Sequence, residues 1–86
     1  MIEVKVRYAG LPRSEAGKQE EIWIVEEGGT LSRLVEEIKR KYGWNLVDRS
    51  YYIIVYNHHG QNSNEWETQE LKDGDLIQII SSISGG

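Results

Sequence analysis

Apolar and charged residues alternate from Ile2 to Tyr8, with Ile2, Val4, Val6 and Tyr8 on one face and Glu3, Lys5 and Arg7 on the other. A period of two predicts a half-buried strand. Gly10 to Lys18 is polar, carries the chain's one proline, Pro12, and reads as a surface loop. Glu21 to Val25 predicts a second strand, stopped by Gly28-Gly29. The period then changes. Leu31, Leu34, Val35, Ile38 and Tyr42 recur at helical spacing and form one apolar stripe. Thr30 suits the N-cap, because its hydroxyl accepts a bond from an orphan N–H of the first turn. Gly43 suits the left-handed position that ends a helix. Glu36 with Arg40, and Glu37 with Lys41, are i,i+4 pairs on the outer face, worth roughly 0.3–0.5 kcal/mol each.

Tyr51 to Asn57 is rich in β-branched and aromatic residues, as a strand requires. His58 to Asn64 reads as a polar loop, and Glu65 to Leu71 as a segment containing a short irregular strand. Asp73-Gly74-Asp75 is a turn, and Leu76 to Ile80 is the last strand. The order β-β-α-β-(β)-β predicts an α+β domain over residues 1–80, with a mixed sheet of four to five strands packed on one main helix. A β-grasp arrangement fits this order, although the pattern alone does not select it. Residues 81–86 read as a flexible tail.

Composition narrows the function. With 86 residues the chain has room for one domain with a thin core. A net charge of −4 leaves no basic face to track phosphates, so nucleic acid is not the expected partner. Cysteine is absent, which removes disulfides, thiolate nucleophiles and thiolate zinc sites. No apolar run approaches the roughly 20 residues needed to span a bilayer, and the first residues alternate instead of forming a signal-peptide block. A soluble cytoplasmic protein is the expectation.

The chain closes on Ser81-Ser82-Ile83-Ser84-Gly85-Gly86. The segment Asp73-Gly74-Asp75-x-Ile77-x-Ile79, a short tail and the terminal Gly85-Gly86 together resemble the MoaD/ThiS family of ubiquitin-like sulfur carriers. That family includes the small subunit of molybdopterin synthase and the thiamine sulfur carrier. Met1-Ile2-x-Val4, Thr30-Leu31-x-x-Leu34 and Ile53-x-Val55-x-Asn57 agree with it, so the resemblance covers essentially the whole chain. Its specific part is the diglycine joined to the Asp-Gly-Asp turn; the rest is core patterning. Chain length and the Gly10–Lys18 loop look more like the molybdopterin branch. Ser81, Ser82 and Ser84 stand where that branch usually has an aromatic residue and prolines. Archaeal small modifiers, which are also conjugated to lysines, resemble the same family.

The resemblance implies a ubiquitin-like β-grasp fold and a carrier that is not itself an enzyme and binds no cofactor. An adenylating partner would use ATP to convert the Gly86 carboxylate into an acyl-adenylate, from which sulfur gives a thiocarboxylate or a lysine gives an isopeptide. A second partner would be the larger subunit of molybdopterin synthase. Gly85, lacking Cβ, would let a narrow channel close around the tail. The alternative from another class is a β-grasp interaction module with an inert tail.

A carrier also needs a docking face. If Ile77 and Ile79 point inward, Leu76, Gln78 and Ile80 point outward beside the tail. The same alternation places Tyr52, Ile54 and Tyr56 outward against inward Tyr51, Ile53 and Val55, and Trp23 outward against inward Ile22 and Ile24. Leu76, Ile80, Tyr52, Ile54 and Trp23 are therefore the expected docking residues, with Lys5 and Arg7 beside them. Other chemistry is weakly supported. His58-His59 lacks a third ligand at supporting spacing, so no metal site is expected. Asp73 and Asp75 are turn formers before they are an acid–base pair, and Gly28-Gly29 is not followed by the Gly-Lys-Ser/Thr of a phosphate loop. Trp23, Trp44 and Trp66 are assigned to packing.

Overall fold

The computed structural model describes residues 1–43, 52–61 and 63–81, with Tyr52 and Ser63 described as backbone alone. Strand β1 (Ile2–Ala9) forms because its alternation buries Ile2, Val4, Val6 and Tyr8 together on one face. Strand β2 (Glu20–Val25) returns antiparallel to it, with Val4 opposite Trp23 and Val6 opposite Glu21. The connection is not the surface loop expected from its composition. Leu11–Ala16 form a short helix, α1, ended by Gly17 in the left-handed conformation. Pro12 misleads a sequence reading because it breaks helices internally yet is well suited to the first turn, where its missing N–H costs nothing. Here it occupies that turn and is buried.

Helix α2 (Leu31–Tyr42) has the predicted limits and the predicted caps. The Thr30 hydroxyl accepts the Arg33 N–H at 3.3 Å, and Gly43, at φ 67°, donates its N–H to the Lys39 carbonyl. The remaining first-turn donors are met from further along the chain. Leu31 N–H bonds the Gln69 carbonyl at 2.8 Å and Ser32 N–H bonds the Trp66 carbonyl at 3.0 Å. This accounts for the departure at Glu65–Leu71, which is not a strand. A 3₁₀ turn (Ser63–Glu65) leads into turns whose carbonyls cap α2, and one bridge, Thr30 to Glu70, is all the β pairing the segment makes.

Strand β3 (Tyr52–Tyr56) turns back at Asn57 and His58, both at positive φ, into the short β4 (His59–Gln61), inside the segment expected to be loop. Strand β5 (Leu76–Ser81) runs parallel to β1 and antiparallel to β3. The mixed five-stranded sheet has the order β2-β1-β5-β3-β4, placing the last strand in its centre. One face packs on α2 through Leu31, Leu34, Val35 and Ile38. The other face carries no helix among the described residues. This is the ubiquitin-like β-grasp, an α+β fold as expected.

Candidate functional site

The chain's last described strand is fixed on both sides and by its buried face. Ile77 and Ile79 are completely buried, and β5 is bonded on both edges. Its final pairs are Ile80 with Ala9 and Ile53, and Ser81 with Tyr52. At that end Gly10 sits at φ +71°, and a Cβ built on it would lie 2.3 Å from the Ser81 Oγ. The positive φ favours glycine there, and a side chain would also displace the Ser81 hydroxyl. The segment that follows therefore leaves from a fixed point in the middle of the sheet. Gly85 and Gly86, with Ser82 and Ser84, lie outside the described residues, as do Trp44 and Tyr51.

The turn preceding β5 is built from its two aspartates. Asp73 accepts the Glu3 N–H at 2.8 Å, and Gly74 returns an N–H to the Glu3 carbonyl at 2.8 Å. Asp75 is 7% exposed and accepts from the Lys72 N–H at 2.7 Å, the Tyr56 hydroxyl at 2.6 Å and the Asn57 side-chain amide at 2.9 Å. The Asn57 side-chain Oδ1 in turn receives the Leu76 N–H at 2.8 Å. Burial, reinforced by Asp75, pushes the Tyr56 hydroxyl up to about 12. Each carboxylate is committed to tying β5 to a neighbouring strand, Asp73 to β1 and Asp75 to the β3–β4 hairpin.

The open face of the sheet differs from the expected docking surface on two strands. Leu76 and Ile80 do lie on it, half-buried. Ile54 does not: it is buried opposite Ile79, and Tyr56 packs inward opposite Ile77. Ile53, 45% exposed, is outside instead, together with Val55 opposite Gln78. Trp23 likewise packs against the core opposite Val4, while Ile22 and Ile24 are about half exposed, at 53% and 52%. Tyr52 is paired with Ser81, but its side chain lies outside the described residues. In both strands the alternation is real, but its phase is the reverse of the expected one. Pairing decides phase, since every residue opposite an inward one is itself inward. The corrected surface beside the end of β5 comprises Ala9, Ile53, Val55 and Ile80, rimmed by Gln78 and by Arg7, which is ion-paired with Glu20 at 3.0 Å.

The inward phase of β2 carries Glu21 into the edge of the core, a feature no local pattern reveals. Its carboxylate, whose side chain is 10% exposed, receives the hydroxyls of Tyr8 and Tyr42 and the ammonium groups of Lys41 at 3.0 Å and Lys18 at 3.5 Å. Burial raises the carboxyl's affinity for a proton, but the bonds from Tyr42, Tyr8 and Lys41 outweigh it and hold the group at about 2. Burial, with Glu21 adding to it, pushes the Tyr8 hydroxyl up, and Glu21 raises Lys41. The two tyrosine rings meet edge-on with centroids 6.0 Å apart, and the Lys41 ammonium lies 5.1 Å from the Trp23 ring centroid.

Among the described residues, no three His, Cys, Asp or Glu side chains converge as a metal site would need. His58 and His59 are exposed at the hairpin turn. No helix among the described residues is long and apolar enough to cross a membrane.

A β-grasp domain whose final strand runs through the sheet centre toward a diglycine is the architecture of a ubiquitin-like carrier. The model of the ThiS family matches residues 6–86, and the chain belongs to that family. A putative molybdopterin converting factor subunit 1 from Pyrococcus furiosus is 27% identical, with a TM-score of 0.81, over 96% of this chain and all of that one (100%). The small archaeal modifier protein 1 of Methanosarcina acetivorans is 25% identical, with a TM-score of 0.69, over 100% of this chain and 98% of that one. A complex of subunits 1 and 2 of the molybdopterin-converting factor from Helicobacter pylori contains a chain of the same fold, 22% identical, with a TM-score of 0.68, over 99% of this chain and 100% of that one. No curated protein matches the sequence. The chain is thus a ubiquitin-like carrier of the MoaD/ThiS type.

Proposed function

We propose that the protein is an ATP-activated sulfur carrier for the synthesis of molybdopterin, the organic part of the molybdenum and tungsten cofactors. The reading is carried by family membership that extends through Gly86, on a chain whose last strand leaves the sheet centre beside an apolar face. A carboxylate is a poor electrophile. An adenylating enzyme would first join the Gly86 carboxylate to the α-phosphate of ATP and release pyrophosphate. A sulfur nucleophile from a donor would then displace AMP and leave a thiocarboxylate, which the carrier delivers to a larger catalytic subunit. The Helicobacter pylori complex of subunits 1 and 2, which contains a chain of this fold, supports a partner of that kind. Ala9, Ile53, Val55 and Ile80 would dock on either enzyme, because they are the apolar surface nearest the tail.

The carrier itself supplies no acid, base or nucleophile. Its contribution is positional: a rigid body for docking and a side-chain-free end that fits a narrow channel.

A second reading, attachment of Gly86 to lysines of other proteins, is favoured by the 25% identity to the small archaeal modifier. Intact mass spectrometry after incubation with ATP, a sulfur donor and an adenylating enzyme separates the two. A gain of about 16 Da, sulfur replacing oxygen on Gly86, is expected of a sulfur carrier. Isopeptide-linked products without that gain would identify a modifier. An unchanged mass beside a carrier that the same enzyme does load would refute both.

A further inference from the structure

Strand β2 is an edge of the sheet whose hydrogen-bonding groups face outward beside exposed isoleucines. The direction of those groups follows from the ladder. Lys5 N–H bonds the Asp75 carbonyl at 2.9 Å and the Glu3 carbonyl receives Gly74, so Glu3 and Lys5 direct their backbone toward the β5 side. Val4, Val6 and Tyr8, the alternate residues, turn theirs toward β2, as the 2.8 Å bond from Tyr8 N–H to the Gln19 carbonyl shows. Their partners Glu21, Trp23 and Val25 are thereby occupied. Glu20, Ile22 and Ile24 point their N–H and C=O groups away from the sheet.

Those same residues place their side chains on the open face, where Ile22 and Ile24 are about half exposed. Natural edges are ordinarily blunted by proline, lysine, a bulge or a cover. Glu20–Val25 contains no proline and no lysine, and its register with β1 is unbroken. Next to its end lies a groove of ≈ 520 Å³ between β2 and α2, lined by Ile24, Val25, Leu34 and Leu71 together with Glu26 and Glu37.

We propose that the β2 edge binds an extended segment of a partner protein, which adds a sixth strand and carries basic residues beside an alternating apolar pair. The backbone groups of Glu20, Ile22 and Ile24 dictate a strand, and Ile22 and Ile24 select apolar side chains two residues apart. Charge selects the flanks. At the Ile24 end stand Glu3, which is opposite Ile24 on β1, and then Glu26 and Glu27. Glu27 is ion-paired with the Met1 amino group at 4.0 Å, whereas Glu3 and Glu26 have no cationic partner among the described residues. Against a second copy of this chain, an antiparallel pair of β2 strands centred on Trp23 sets Glu20 opposite Glu26. The proposal is independent of the chemistry at Gly86.

The test is NMR titration of the ¹⁵N-labelled full chain with a synthetic peptide, Lys-Lys-Thr-Val-Thr-Val-Thr-Thr-Lys-Lys. Shifts should concentrate on residues 20–26. The peptide with glutamate in place of every lysine should bind at least tenfold more weakly, and N-methylation of both valines and the threonine between them, which removes the ladder donors in either strand orientation, should abolish binding. Ile22→Thr with Ile24→Thr, two exposed changes that leave the core intact, should also cost at least tenfold while the thermal midpoint and sulfur loading stay as in the wild type. The absence of shifts, shifts centred on Ile53 and Ile80, or equal binding of the glutamate peptide would each overturn the proposal. So would concentration-dependent broadening at β2 without peptide, which would make the occupant a second copy.

Discussion

Replacing Glu21 with glutamine tests whether the buried carboxylate holds the helix and the first hairpin together as its geometry implies. The change keeps the shape but removes the charge that Lys18, Lys41, Tyr8 and Tyr42 all address. A carboxyl moved from its ordinary 4.5 to about 2 contributes about 3 kcal/mol of stability at neutral pH. Because the folded value is the lower one, that contribution is complete above about pH 5 and is lost as the pH falls through 4.5 toward 2. At pH 3 roughly half remains, about 1.4 kcal/mol. Urea unfolding followed by far-UV circular dichroism, on wild type and Glu21→Gln in parallel, measures the difference. With a slope of about 1 kcal/mol per molar for a domain this small, the midpoint should drop by roughly 2–3 M at pH 7 and by about half that at pH 3. Comparing the two proteins at each pH cancels the other carboxylates. A difference below about 1 kcal/mol at pH 7, or one equal at both pH values, would refute the reasoning.

Three further perturbations separate the support of β5 from the docking surface. Asp75→Asn leaves the Lys72 N–H, the Tyr56 hydroxyl and the Asn57 amide competing for one neutral acceptor, and should cost about 2 kcal/mol in urea unfolding. Gly10→Ala introduces a Cβ into the space of the Ser81 Oγ at a left-handed φ; a loss of at least about 1–2 kcal/mol is expected, with NMR shifts at Ala9, Ile80 and Ser81. Ile53→Arg, on the exposed face, should leave stability within about 0.5 kcal/mol while lowering kcat/KM of adenylation by tenfold or more; unchanged kinetics would remove Ile53 from the docking surface.

Much of the architecture was legible because it follows from local chemistry. Helix α2 announces itself through Thr30, its apolar stripe and Gly43, which need only neighbours within a turn or two. Strand β1, with every second residue apolar and charges between, has one possible phase. The family was legible as well, since Gly85-Gly86 and the Asp73-Gly74-Asp75 turn are contiguous motifs, and the family they resemble is the family that matches. Helix α1 was missed because Pro12 serves either as a breaker or as a first-turn residue, and composition does not choose between them.

What the chain alone determined is therefore β1, β2, α2, β3 and β5, their order, and the carrier family. Only the tertiary structure decided which face of β2 and β3 is inside. In each of these strands both residue sets are apolar enough to be buried, Ile22 and Ile24 against Trp23, and Ile53 and Val55 against Ile54. The choice falls to the partner strand: Val4 draws Trp23 inward and Ile79 draws Ile54 inward. Phase across a sheet is a property of pairing between distant residues, and it carries Glu21 into the core's edge and leaves Ile22, Ile24 and Ile53 exposed.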